Sequence, residues 1–267
     1  MFFLIFVFPT PMIIVVARSA SKGVHKFLSA LNPVLIQAQK MSVIQFKSEN
    51  AQGDCPGILH GDVSKTKKGV IVLQEWWGIN DQIKDEAKDI GERGNFVTLV
   101  PDLYRGKSAI DKEGAGHLMS TLDWQGAVKD IQGAARYLLG LGCTKVGVTG
   151  FCMGGALSLA GAALVPEISA AAPFYGIPSP DLCDVSTIKI PVQAHFGEKD
   201  DIKGFSSKED ALALKEKMKD IPNFELFLYP DCGHAFTNKT GLLQNYNEKA
   251  CNEALTRMTE FMNKFLA

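Results

Sequence analysis

Gly150-Phe151-Cys152-Met153-Gly154-Gly155 constrains this chain more than any other stretch, because it follows directly on the β-rich run Lys145-Val146-Gly147-Val148-Thr149. Glycines at −2 and +2 suit a strand that reverses sharply into a helix, where a Cβ would collide with the returning backbone. Such an elbow holds its central residue, Cys152, at the tip of a strained turn. The small, apolar Ala156 to Leu164 reads as the helix that follows, and its N-terminus directs partial positive charge at the sulfur. A buried cysteine in a Gly-rich turn is the plainer alternative.

The downstream order of residues favours chemistry. On a strand-elbow-helix scaffold of this kind the acid and then the histidine follow the nucleophile, each on a loop after a later strand. The strand-like Ile190 to Phe196 leads into Gly197-Glu198-Lys199-Asp200-Asp201, and Phe224 to Pro230 leads into Asp231-Cys232-Gly233-His234-Ala235-Phe236. From Cys152 to Asp200 is 48 residues and from Asp200 to His234 another 34, each enough for a strand-and-helix unit. Asp201 rivals Asp200, which also suits the start of a helix. Glu75 ends the apolar run Gly69 to Gln74, at the strand end where open α/β sheets place their ligand crevice; a surface ion pair is its alternative role.

Strand-like runs fall at 69–74, 96–100, 145–149, 171–175, 190–196 and 224–229, with helical periodicity over 81–93, 124–139, 207–218 and 247–265. This alternation predicts an α/β fold, a mostly parallel central sheet with helices on both faces. With 267 residues, 46% of them hydrophobic, the chain has material for one large buried core. The net charge of −1 supplies no electrostatic attraction to nucleic acid or to an acidic membrane. Six scattered cysteines without C-x-x-C spacing indicate neither a zinc site nor a disulfide framework, and point to a reducing compartment. No metal or cofactor is expected. Cys232, two residues before His234, is a bystander or a redox neighbour of the site.

Residues 1–40 differ in kind. Met1 to Phe8 and Met12 to Ala17 are apolar, prolines interrupt them, and no acid occurs before Glu49. Three readings compete: translation from Met41 with 1–40 as an upstream extension, a mitochondrial or plastid transit peptide, or secretion or anchoring. The expected organisation is an extension over 1–40 and a single domain over 41–267, in the cytoplasm unless the extension is a transit peptide.

Gln74-Glu75-Trp76-Trp77-Gly78, Pro101-Asp102-Leu103-Tyr104-Arg105-Gly106, the Cys152 elbow and Gly233-His234-Ala235-Phe236 together resemble the dienelactone hydrolase family (carboxymethylenebutenolidases), thiol hydrolases on the α/β-hydrolase fold. The resemblance runs from about residue 54 to the C-terminus, and Glu75 to Gly78 with Leu122-Asp123-Trp124 is most similar to its eukaryotic, plant-type branch. It implies a triad of Cys152, Asp200 and His234 acting on lactones or activated esters of small carboxylic acids, in a monomer or homodimer. It also implies that Glu75 accepts the thiol proton when substrate arrives. The oxyanion would be held by the backbone N–H groups of Met153 and Trp76.

Trp77, Phe236 and Arg105 are the candidate substrate contacts, although adjacent aromatics after a strand also suit a core. Bacterial members clamp a substrate carboxylate with two arginines. Here Arg105 stands one position early, Gly106 occupies the first clamp position and Asn238 the second, with Lys107 and Lys239 as alternative sources of charge. That departure puts a dienelactone substrate in doubt. Two rivals remain: a non-catalytic ligand-binding module on the same scaffold, and a redox protein using Cys152 with Cys232.

Overall fold

Eight strands form one sheet in the order β1-β2-β4-β3-β5-β6-β7-β8. The structure, a computed structural model, describes residues 41–267; the expectations for residues 1–40 lie outside the described residues. The strands are β1 (Ser42–Phe46), β2 (Cys55–His60), β3 (Lys68–Leu73), β4 (Val97–Pro101), β5 (Lys145–Phe151), β6 (Ile168–Phe174), β7 (Val192–Gly197) and β8 (Phe224–Tyr229). From β4 across to β8 all pairings are parallel; β1 with β2 and β2 with β4 are antiparallel.

The helices are α1 (Asp81–Gly94), α2 (Lys112–Ser120), α3 (Trp124–Leu141), α4 (Met153–Leu164), α5 (Lys208–Lys217) and α6 (Glu248–Leu266). Local chemistry sets their ends. Asn80 Oδ1 accepts the Ile83 N–H at 3.1 Å to start α1, and Asn95, in the left-handed region at φ 52°, closes it. Ser207 and Asp210 form a reciprocal capping box at α5.

Successive residues of a strand face opposite sides of its sheet, and β5 shows both sides covered. Gly147 lies under Met262 and Leu266 of α6, while Val148 meets Gly161 of α4, itself against Ile131 of α3. β4 and β6 are buried along nearly their whole length, as strands with helices on both faces must be.

All six predicted strands are present, so the expected architecture holds. The additions are β1, β2 and α2. The first two form the antiparallel edge, where Pro56 and Gly57 break the strand pattern of a short segment. Helix α2 buries only Ala115, so it has almost no apolar periodicity to read.

Candidate active site

Glu75, Cys152, Asp200 and His234 all follow the C-terminal ends of parallel strands, β3, β5, β7 and β8. Strand register brings these ends level: Leu73 pairs with Gly150, Phe151 with Phe174, and Gly197 with Tyr229. The crevice of an open α/β sheet lies at this edge.

Cys152 adopts φ 56° and ψ −115°, a conformation that costs a non-glycine residue about 1–3 kcal/mol. Its surroundings enforce it. A Cβ on Gly150 would lie 2.5 Å from the Gly154 carbonyl oxygen, and one on Gly154 would lie 2.4 Å from that of Leu73. The elbow therefore packs backbone on backbone, and Cys152 N–H is tied to Phe174 O at 3.1 Å. The cysteine stands at the N-cap of α4 and its side chain accepts no hydrogen bond from the first turn, whose N–H groups carry the partial positive charge of the helix N-terminus.

His234 Nδ1 donates to Asp200 Oδ2 at 2.8 Å, which leaves Nε2 for the substrate side. Asp200 is buried and its second oxygen accepts the Ile202 N–H at 3.2 Å; Asp201 is exposed. The structure thus brings Asp200, and not its neighbour, to the histidine. Burial alone would pull the imidazole down, but the charge of the Cys152 sulfur, with hydrogen bonds to Asp200 and Cys152, pushes it up to about 10.

Glu75 is buried, and burial pushes its carboxyl up against the opposing pull of the His234 charge and of hydrogen bonds from Asn238 and Tyr175. Asn238 Nδ2 donates to Glu75 Oε2. Tyr175 hydroxyl donates to Oε1 at 3.5 Å, shares a 2.7 Å bond with Thr237 Oγ1, and sets its ring edge-on to His234 at 5.2 Å. Ser206 Oγ also reaches His234 Nδ1, at 3.1 Å. Tyr175 and Ser206 carried no sequence signal beyond lying after a strand. Asn238 did stand out, as a missing arginine; its place in the structure is beside Glu75.

Three expected substrate contacts are corrected. The Arg105 guanidinium grips Asp130 with two bonds of 2.8 and 2.9 Å and donates to Asp102 O and Gly53 O, so its charge is neutralised on α3. Trp77 and Phe236 are fully buried, Phe236 between Tyr175 and Tyr229, and both belong to the core. Trp76 is only partly buried, and the turn it opens is closed by Gly78 N–H on Glu75 O at 3.4 Å. Met153 is the first residue of α4, where a backbone N–H has no intrahelical acceptor. All six cysteines are free; burial, with Asp231, pushes the Cys232 thiol up, away from the reactive thiolate. Among the described residues no group of three or more His, Cys, Asp or Glu is arranged to hold a metal ion.

The family model described as "Dienelactone hydrolase family" matches residues 56–266. The chain belongs to the dienelactone hydrolase family. Among its relatives, Protein usf of Aquifex pyrophilus is 35% identical over 185 residues, covering 64% of this chain and 77% of the relative. A putative carboxymethylenebutenolidase of Aquifex aeolicus is 30% identical over 212 residues, covering 74% and 88%. The carboxymethylenebutenolidase of Pseudomonas putida is 27% identical over 227 residues, covering 80% and 93%. Among solved structures, a putative dienelactone hydrolase from Klebsiella pneumoniae superposes with a TM-score of 0.70 at 22% identity over 84% of this chain and all of its own, which establishes a shared α/β-hydrolase fold.

Proposed function

We propose that this dienelactone hydrolase family member is a cysteine-dependent hydrolase that opens lactones or cleaves activated esters of small carboxylic acids. The observation that carries the reading is the strained Cys152 at the N-terminus of α4, beside a His234 whose Nδ1 is held by Asp200 at 2.8 Å. The names borne by its relatives, carboxymethylenebutenolidase above all, support the substrate class.

The Cys152 thiolate attacks the carbonyl carbon and forms a C–S bond. The oxyanion is held by the N–H groups of Met153 and Trp76. Collapse breaks the C–O bond, and His234 Nε2 protonates the departing alkoxide, which in a lactone stays tethered to the acyl group. His234 then takes a proton from water, hydroxide adds to the thioester, and the C–S bond breaks to release the acid and the sulfur. Asp200 orients the imidazole throughout. When substrate arrives, the Glu75 carboxylate accepts the Cys152 thiol proton, and it returns that proton to the sulfur after the acid has left.

A second reading, a non-catalytic binding module, has no support in a site that keeps nucleophile, base and acid together. A redox role with Cys232 is opposed by the burial of that thiol. Six free cysteines favour a reducing compartment such as the cytoplasm, and no described helix is long and apolar enough to cross a membrane. We read residues 41–267 as the single catalytic domain and the enzyme as a monomer or homodimer. Placement in the eukaryotic, plant-type branch rests on Glu75 to Gly78 and Leu122 to Trp124 alone; the relatives named above are bacterial. The test is a panel of lactones and aryl esters assayed with the wild type and with Cys152→Ala. Turnover by the wild type that the variant loses supports the reading, and turnover that survives in the variant removes it.

A further inference from the structure

A cleft of about 540 Å³ lies between the connection from α2 to α3 and the segment that follows β6. Leu122 and Trp124 line one wall, Ile177 and Leu182 the other, and Phe205 the side toward His234. It is tied to the site at two points. Ile177 stands two residues after Tyr175, whose ring meets His234 edge-on, and Ile177 N–H donates to Phe205 O at 2.9 Å. Phe205 in turn precedes Ser206, which bonds His234 Nδ1, and its ring centre lies 6.2 Å from that of the imidazole.

The charge of the lining selects the ligand. No lysine or arginine lines the cleft, whereas Asp123 and Asp181 do. Asp123 is already engaged by the Gly126 N–H at 2.9 Å, and Asp181 by Ser179. A carboxylate entering here would meet two acids and no cation. The other candidate sources of positive charge are engaged elsewhere or do not line the cleft: Arg105 is locked on Asp130, and neither Lys107 nor Lys239 is among the lining residues.

Resting on the hydrolase reading above, we propose that this cleft is the subsite for the leaving group of the ester, and that it takes an uncharged apolar group, alkyl or aryl. The leaving oxygen receives its proton from His234, so the group attached to that oxygen extends on the His234 side, where Phe205 begins the cleft. The preferred substrates are then neutral esters with an apolar alcohol moiety, and an acidic dienelactone is a poor fit.

The test compares kcat/KM of the full-length enzyme on phenyl acetate, para-butylphenyl acetate, phenyl pentanoate, and an analogue of the butyl ester whose alkyl tail ends in a carboxylate. The alkyl tail barely alters leaving-group acidity, so the comparison isolates binding. Burial of a methylene raises kcat/KM roughly fourfold, so the butylphenyl ester should exceed phenyl acetate by about tenfold or more, and the carboxylate tail should abolish that gain. Leu182→Glu and, on the facing wall, Leu122→Gln should each bring the ratio of butyl to unsubstituted ester toward one; thermal unfolding identifies a variant that fails to fold, and the other then decides. Hydrolysis of phenyl acetate with no gain from the butyl group overturns the subsite, as does a gain that both folded variants keep or one found instead with phenyl pentanoate. If the wild type hydrolyses none of these esters, or Cys152→Ala hydrolyses them equally, the hydrolase reading itself has failed.

Discussion

Arg105→Ala separates a structural arginine from a substrate clamp. The side chain of Asp130 is fully buried and that of Arg105 is 15% exposed, and the two share a bidentate pair. Removing one partner of a buried pair costs about 3–5 kcal/mol, because the other is left charged and unpaired. Here the loss is partly offset: Asp130 still accepts from Ser48 Oγ at 2.6 Å and from Asn50 Nδ2 at 2.9 Å. The expected destabilisation is therefore about 2–4 kcal/mol, the lower part of that range and somewhat below it. For a domain of this size it corresponds to a fall in Tm of roughly 4–16 °C. Calorimetry measures this directly. Well below the Tm, kcat/KM should change equally for a substrate that bears a carboxylate and for its methyl ester. A loss of about ten- to a hundredfold confined to the carboxylate substrate, with the Tm unchanged, would refute the structural role.

Glu75→Gln cannot take the thiol proton or repel the thiolate, so iodoacetamide labelling of Cys152 should persist to lower pH than in the wild type; superimposable profiles would show that Glu75 does not govern the sulfur. Glu86 is a second buried carboxyl, pushed well above 4.5 by burial and then by the charge of Glu75. Its folded-state value exceeds its unfolded one, so its contribution to stability is whole below about pH 4.5 and is lost as pH rises through the raised value. Glu86→Gln lacks that loss, and its Tm should gain on the wild type as pH rises from 4 to 8; a constant difference would contradict the assignment. The same sign holds for His234, at about 10 in the fold: its stabilising charge is whole below about pH 6.5 and fades as pH rises through 10. His234→Ala should flatten the decline in Tm between pH 7 and 10, and a variant with the wild-type slope would place that decline elsewhere.

The candidate triad was legible because each of its members sits where periodicity changes. A β-period run ends, a turn residue intervenes, and Cys152, Asp200 or His234 follows. Backbone packing at the elbow then demands glycine on both sides of the cysteine, which makes it readable without coordinates. The groups around Glu75 were not legible in the same way. Tyr175 and Thr237 meet through a fold that brings residues 62 positions apart within 2.7 Å, and nothing local marks either. Asn238 and Arg105 were visible as oddities of the clamp positions, and Arg105 was assigned to the ligand, because the partners that occupy them, Glu75 and Asp130, are remote in sequence. Phe236 and Trp77 failed for a related reason. Adjacency to a catalytic residue along the chain does not give the direction of a side chain, and alternate positions of a strand or its extension face opposite ways.

Covalent catalysis by Cys152 is tested most directly by quenching the enzyme in acid during turnover of an aryl ester and locating the acyl group by peptide mass spectrometry. The account predicts a thioester on Cys152 in the wild type and no adduct in Cys152→Ala. An acyl group on another residue of the competent enzyme, or turnover undiminished in Cys152→Ala, would contradict it.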